Sequence, residues 1–436
     1  MDLLIKNARI ASPEGIVDGA ILIDEGRFAA VKKSDAGLTA ENSVDAQGKL
    51  FLPGLIDAHV HFRTPGSEYK EDWKTGPQAA AAGGVTTVLD MPNTNPPTTT
   101  LKDLADKRKK AEKKSIVDFG LHMGATNDNL SEIEKAWNIA SVKFYLGSTT
   151  GPLLFDTGNL RTFLEVLEEK GITATAHCES EELIGKLAEQ AREGFKFYSQ
   201  LRTPQCELES MRDFIEAVRY SDARAHICHV SSRAGVEFLR KSKSPNISAE
   251  ATPHHLFLTE EDEKRLGALG KMNPPLRSPL DRKTLWQALV DGTIDIVATD
   301  HAPHTREEKE KGFLEAPAGV PGVETRLPLL LEQVNRGNLT IERLVQSNCT
   351  KPAEIFGILN KGRIAEGYDA DFIVIDLEHK HEIKNDELFT KCGWSPFDGA
   401  VVRGKVMKTF VRGQCVYEDG ECLSGDGKEV SFGRPE

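Results

Sequence analysis

The chain has 436 residues, 39% of them hydrophobic and 28% charged, with a net charge of −12. That composition excludes wholesale disorder and membrane residence, and the length suits a barrel enzyme with a smaller satellite domain. The acidic balance also disfavours a nucleic-acid role, which needs clustered Lys and Arg, and no stretch reads as a membrane span.

The N-terminus, Met1-Asp2-Leu3-Leu4-Ile5-Lys6, runs straight into a strand pattern without a leader signature, so a cytoplasmic location is expected. Strand-like runs at 3–5 and 20–23 are broken by turn formers at Pro13-Glu14-Gly15 and Glu25-Gly26, which predicts a small β unit over residues 1–52. From 53 to 357, apolar strand-like runs alternate with helical stretches, the pattern of βα units around a buried parallel sheet. Eight strands are predicted at 51–55, 86–89, 119–123, 141–145, 172–176, 225–228, 247–250 and 294–298, with helices that include 159–170, 179–193, 207–220 and 281–290. The basic run 107–114 reads as the solvated face of a helix. Strand texture returns over 358–436, at 371–375 and 406–411, around Gly367, Gly404 and Gly413. The expected fold is α/β: a (β/α)8 TIM-like barrel with a small β-sandwich domain built from both chain ends. Seven cysteines without CxxC pairing are expected to be reduced packing residues.

Asp57-Ala58-His59-Val60-His61 is the strongest local signal. Two histidines two residues apart on an extended segment point the same way and can share one metal ion. Further candidate ligands stand just past other predicted strands: His177, His229 and Asp300. Strand C-terminal ends converge on one mouth of a barrel, so these residues are expected to meet there, and an imidazole and carboxylate set without thiolate suits zinc. Lys143, on the fourth strand, is a candidate bridge. A protonated lysine would repel two metal ions, whereas a lysine carboxylated by carbon dioxide becomes a carbamate with one oxygen for each ion. Arg63, two residues beyond the second histidine, could hold a carboxylate with its planar fork; Asn93 and His304 are candidates for the same group.

The set Asp57-Ala58-His59-Val60-His61-Phe62-Arg63-Thr64-Pro65-Gly66, Met91-Pro92-Asn93-Thr94, Thr252-Pro253-His254-His255-Leu256, Asn273-Pro274-Pro275-Leu276-Arg277 and Asp300-His301-Ala302-Pro303-His304 resembles the dihydroorotases of the amidohydrolase superfamily, over nearly the whole chain. The resemblance implies that His59, His61, Lys143 and Asp300 hold one zinc ion, and that Lys143, His177 and His229 hold the other, with a hydroxide between them. It further implies that Arg63, Asn93 and His304 bind the substrate carboxylate, and that Asn273 lines the pyrimidine ring edge through backbone groups. Many long bacterial dihydroorotases carry aspartate where Lys143 stands; lysine here resembles the animal multifunctional enzymes, the hydantoinases and the allantoinases, in which it is carboxylated. Animal-type relatives close a loop over substrate with a threonine-phenylalanine pair, and the matching stretch here, Gly147-Ser148-Thr149-Thr150-Gly151, offers Thr149 alone.

The resemblance implies reversible cyclisation of N-carbamoyl-L-aspartate to L-dihydroorotate in pyrimidine biosynthesis, with two zinc ions and Asp300 as general acid and base. It also allows for a homodimer and for association with aspartate transcarbamoylase. The rival reading is an allantoinase or a dihydropyrimidinase of the hydantoinase type, which shares the metal ligands but has no carboxylate to bind. A metal-free structural homologue is the remaining alternative, disfavoured because every candidate ligand position is filled.

Overall fold

The computed structural model describes residues 1–149, 151–190, 194 and 197–433. Five strands lead: β1 (Leu3–Ser12), β2 (Gly15–Asp24), β3 (Arg27–Lys32), β4 (Asn42–Asp45) and β5 (Leu50–Pro53). The barrel strands follow: β6 (Leu55–Val60), β7 (Val85–Asp90), β8 (Asp118–Leu121) continued by β9 (Met123–Gly124), β10 (Val142–Tyr145), β11 (Ala174–His177), β12 (Ala225–Ile227), β13 (Ile247–Ala251) and β14 (Ile296–Val297). Four more close the chain: β15 (Phe372–Glu382), β16 (Val401–Val411), β17 (Gln414–Glu418) and β18 (Glu421–Cys422).

All the barrel pairings are parallel. The ring closes where Val60 meets His301 in a parallel bridge and the His61 amide donates to the His301 carbonyl over 2.8 Å. Eight strand positions with crossover helices are the (β/α)8 barrel expected from the alternating pattern. Its β6 to β12 strands are buried end to end, as parallel strands covered on both faces must be.

Helices begin where the sequence supplies caps. Thr100 accepts from the Asp103 amide, Ser232 accepts from the Gly235 amide, and Ser278 forms a capping box with Asp281 ahead of a proline in the first turn. The predicted helix 159–170 is observed at Leu160–Lys170, ended by Gly171 in the left-handed conformation (φ 65°). The predicted helix 179–193 is observed at Glu181–Gln190, and residues 191–193 lie outside the described set.

The remaining strands join in one sheet, ordered β18-β17-β16-β15-β5-β1-β2-β3 with β4 beside β1. Its junction is the antiparallel pairing of β5 with β15, Pro53 opposite Phe372. Across the junction Phe372 stacks on Phe51 and on Phe410, with ring centroids 5.7 and 4.4 Å apart, and Ile5, Ile10, Ile21 and Phe28 complete this core.

Two expectations need correction. The run 51–55 is not one barrel strand: Leu50–Pro53 belongs to the terminal sheet, and the barrel begins at Leu55. Gly54 is the break. A Cβ there would fall 2.2 Å from the Thr86 hydroxyl oxygen, so only glycine lets the chain pass from one sheet to the other so close to β7. The basic run 107–114 is not uniformly solvated either: Lys107 is fully buried, donating to the Met91 carbonyl (2.7 Å) and pairing with Asp90 (2.5 Å). Asp90 also accepts from the Phe62 amide over 2.7 Å, so this lysine helps to fix the segment between His61 and Arg63.

Candidate metal centre

His59 lies within β6 and His61 one residue beyond it, their ring centroids 5.2 Å apart. Lys143 lies within β10, His177 ends β11, His229 follows β12, and Asp300 follows β14. The barrel therefore gathers all six predicted ligands at its C-terminal mouth. Asp300 Oδ1 stands 2.9 Å from His61 Nε2 and 3.3 Å from His59 Nε2, and His177 Nδ1 faces His229 Nε2 at 3.0 Å. Potential ligand atoms of His59, His61 and Asp300 lie within 4.8 Å of one another, as do those of His59, Cys228 and His229.

Three of the imidazoles are tethered from behind. His59 Nδ1 meets Glu250 Oε1 at 2.6 Å, His61 Nδ1 meets Asn93 Oδ1 at 2.6 Å, and His177 Nε2 meets Glu179 Oε2 at 2.9 Å. An oxygen acceptor outside the cluster fixes the N–H there and leaves the other ring nitrogen's lone pair aimed inward. Arg202 holds Glu179 in turn, through Nε at 3.0 and 3.1 Å. Neither Glu250 nor Glu179 was among the sequence candidates. The signal was available in Ile247–Ala251, where a lone carboxylate interrupts an apolar strand, because a buried charge nearly always has a partner.

The electrostatics ask for a cation. Burial works against charge on the His59 imidazole, yet the Glu250 and Asp300 carboxylates outweigh it and lift the group to about 10. Burial likewise opposes the Asp300 charge, but His59 and His61 hold this carboxyl well below the usual range. Burial carries His61 down to about 3 and His229 well below its ordinary value. The carboxylates thus demand positive charge that most of the surrounding imidazoles are too buried to carry, and a metal ion supplies it while using their lone pairs. His229 fits as well, since among the described residues its buried Nδ1 has no hydrogen-bond partner.

Arg63, His229 and Asp300 adopt left-handed backbone conformations, with φ of 57°, 34° and 45°. Residues with a Cβ rarely do so, and three at one rim mark a place where geometry is held against local preference.

Ten of the eleven predicted site residues line one cavity: His59, His61, Arg63, Asn93, Lys143, Thr149, His177, His229, Asn273 and Asp300. Tyr145, unpredicted, lines it too. His304 does not; it is fully buried behind Arg63, with Nε2 3.1 Å from Arg63 Nη2 and Nδ1 3.0 Å from Lys70 Nζ. Burial, reinforced by Arg63 and Lys70, drives it down to about 3, so it stays neutral. The Asn273 Oδ1 is buried and has no hydrogen-bond partner among the described residues.

Replacing Glu250 with glutamine keeps the shape but removes the negative charge behind His59. Metal retention is expected to weaken by about 10- to 100-fold, measured as bound metal after dialysis against graded chelator.

A buried histidine and aspartate cluster at the C-terminal mouth of a parallel barrel defines a hydrolase with the means to hold metal. The model of the amidohydrolase family matches residues 50–416, and the chain belongs to that family. It is 39% identical to a dihydroorotase of Methanosarcina acetivorans over 98% of this chain and 96% of that protein. It is 41% identical to a dihydroorotase of Halobacterium salinarum over 94% and 96%. Among solved structures, the L-hydantoinase (dihydropyrimidinase) of Arthrobacter aurescens superposes with a TM-score of 0.95 at 34% identity, over 99% of both chains.

Proposed function

We propose that the chain is a dihydroorotase that interconverts N-carbamoyl-L-aspartate and L-dihydroorotate, holding two zinc ions with a carboxylated Lys143 between them. One observation separates this from the hydantoinase-type alternative. Arg63 is 6% exposed, lines the cavity, and forms no ion pair among the described residues, with Asp300, Asp90 and Glu308 acting on it only from a distance. Its hydrogen bonds are Nε to the Pro303 carbonyl (3.1 Å) and Nη2 against His304 (3.1 Å). A buried guanidinium without a paired carboxylate is costly, and a substrate carboxylate answers that cost where an uncharged hydantoin or dihydrouracil ring leaves it standing.

Support for the carbamate is similar. Lys143 is 1% exposed among imidazoles, and its one hydrogen-bond partner among the described residues is Cys228 Sγ, 2.6 Å away. An ammonium there forms no ion pair among the described residues, whereas a carboxylated side chain would turn oxygens toward the four histidines.

His59, His61, Lys143 and Asp300 would hold one zinc ion, and Lys143, His177 and His229 the other. Bound there, zinc supplies a strong nucleophile from water at neutral pH and polarises the scissile carbonyl. Asp300, ionised and 2.9 Å from the inward nitrogen of His61, accepts the proton released as water attacks, then delivers it to the departing ring nitrogen; synthesis reverses the order. Arg63 orients the substrate through its carboxylate, with Asn93 beside it and His304 supporting the guanidinium from behind. Asn273 Oδ1 offers an acceptor to a ring N–H, and Thr149 stands on the loop after β10.

The test is turnover by zinc-loaded protein of dihydroorotate, allantoin and dihydrouracil under the same conditions. Dihydroorotate is expected to be the substrate by a wide margin; hydrolysis of either uncharged ring without dihydroorotate would overturn the proposal.

A further inference from the structure

Tyr145 ends β10 two residues after Lys143, so the two side chains share the strand face that looks into the mouth. Its ring is 4% exposed and wedged beside the metal cluster, with the Lys143 Nζ 5.3 Å from the ring centroid and the His177 ring 6.4 Å away. Its hydroxyl is buried and, among the described residues, has no hydrogen-bond partner. Phenylalanine would fill the same space without a stranded polar group, so the oxygen works against stability unless something arrives to meet it. Tyr145 lines the same cavity as Arg63 and Asp300.

What arrives can be read from Arg63. The protein already engages its Nε and Nη2, through Pro303 and His304. The rest of the fork can meet only part of a carboxylate, whose two oxygens accept about four hydrogen bonds between them. Among the described residues, the cavity therefore contains a buried guanidinium that forms no ion pair and a buried hydroxyl that has no acceptor. We propose that the Tyr145 hydroxyl donates to the same substrate carboxylate that Arg63 pairs with, and is a specificity-determining residue of the site. This rests on the carboxylate-bearing substrate proposed above.

The experiment uses zinc-loaded full-length protein and compares wild type, Tyr145→Phe, Arg63→Met and the double variant with L-dihydroorotate. Tyr145→Phe is expected to raise KM by about 10- to 100-fold, the range for a hydrogen bond to a charged group, with kcat within about threefold of wild type. Zinc content should be unchanged, and the thermal midpoint equal or higher, which a merely structural tyrosine would not give. The losses should be less than additive in the double variant, because both residues serve one group. An unchanged KM in Tyr145→Phe overturns the proposal. So does a fall in kcat alone, which would move the contact to the reacting carbonyl, or a loss of zinc, which would make Tyr145 a support for the ligands. A wild type inert toward dihydroorotate defeats the functional reading, and this inference with it; an active wild type matched by Tyr145→Phe defeats this inference alone.

Discussion

Lys143→Ala is expected to lower dihydroorotate turnover by at least about 10³-fold and to leave the protein with less than its full metal complement. Removing a single preorganised donor from an active site costs up to about 10³-fold, and this substitution removes the proposed bridge of both ions together. The fold should survive, because β10 keeps its backbone pairing with β11 through Val142 to Tyr145 and alanine introduces no polar group. Circular dichroism and metal analysis on the same sample separate the two effects. Small carboxylic acids added in excess are expected to restore part of both activity and metal, since they can place two oxygens in the space the side chain leaves. Full activity in the unsupplemented variant would rule out an essential bridge.

Arg63→Met is expected to leave the metals in place and to raise KM for dihydroorotate by about 10²-fold or more, the cost of removing one partner from a buried charge pair. The guanidinium contacts neither Asp300 nor the histidines at the centre; its partners are Pro303 and His304. Methionine fills the volume without the charge, so the apolar packing around Phe62 should hold. The uncharged dihydrouracil ring should lose nothing from the same change, so the ratio of the two activities is the decisive number. Kinetics identical to wild type would remove Arg63 from the site.

Much of the mouth was legible because ligand position follows strand position: His177, His229 and Asp300 could each be placed by counting to the end of an apolar run. Residues that act through others were harder to find. Glu250 and Glu179 carry no local motif, and their meaning depends on His59 and His177 arriving from distant strands. Lys107 sits within a run whose composition argues for solvent, and only the tertiary pairing with Asp90 explains its burial. His304 is two residues past Ala302, which lines the cavity, yet the chain turns it behind Arg63, and no sequence pattern predicts that turn. The 51–55 run misled because one apolar stretch serves two sheets, and Pro53-Gly54 is the punctuation between them.

The terminal sheet has a consequence for how the chain is made. Strand β5 finds its neighbour β15 only when Phe372 has emerged, 319 residues after Pro53. At ordinary synthesis rates that interval is on the order of tens of seconds, during which the β5 edge of this ribbon stands open. Such an edge invites pairing with the wrong strand, so ribosome-bound nascent chains stalled before Phe372 are the species most in need of chaperone protection. Release of a chain that ends before β15 would leave the finished barrel attached to an unmated ribbon.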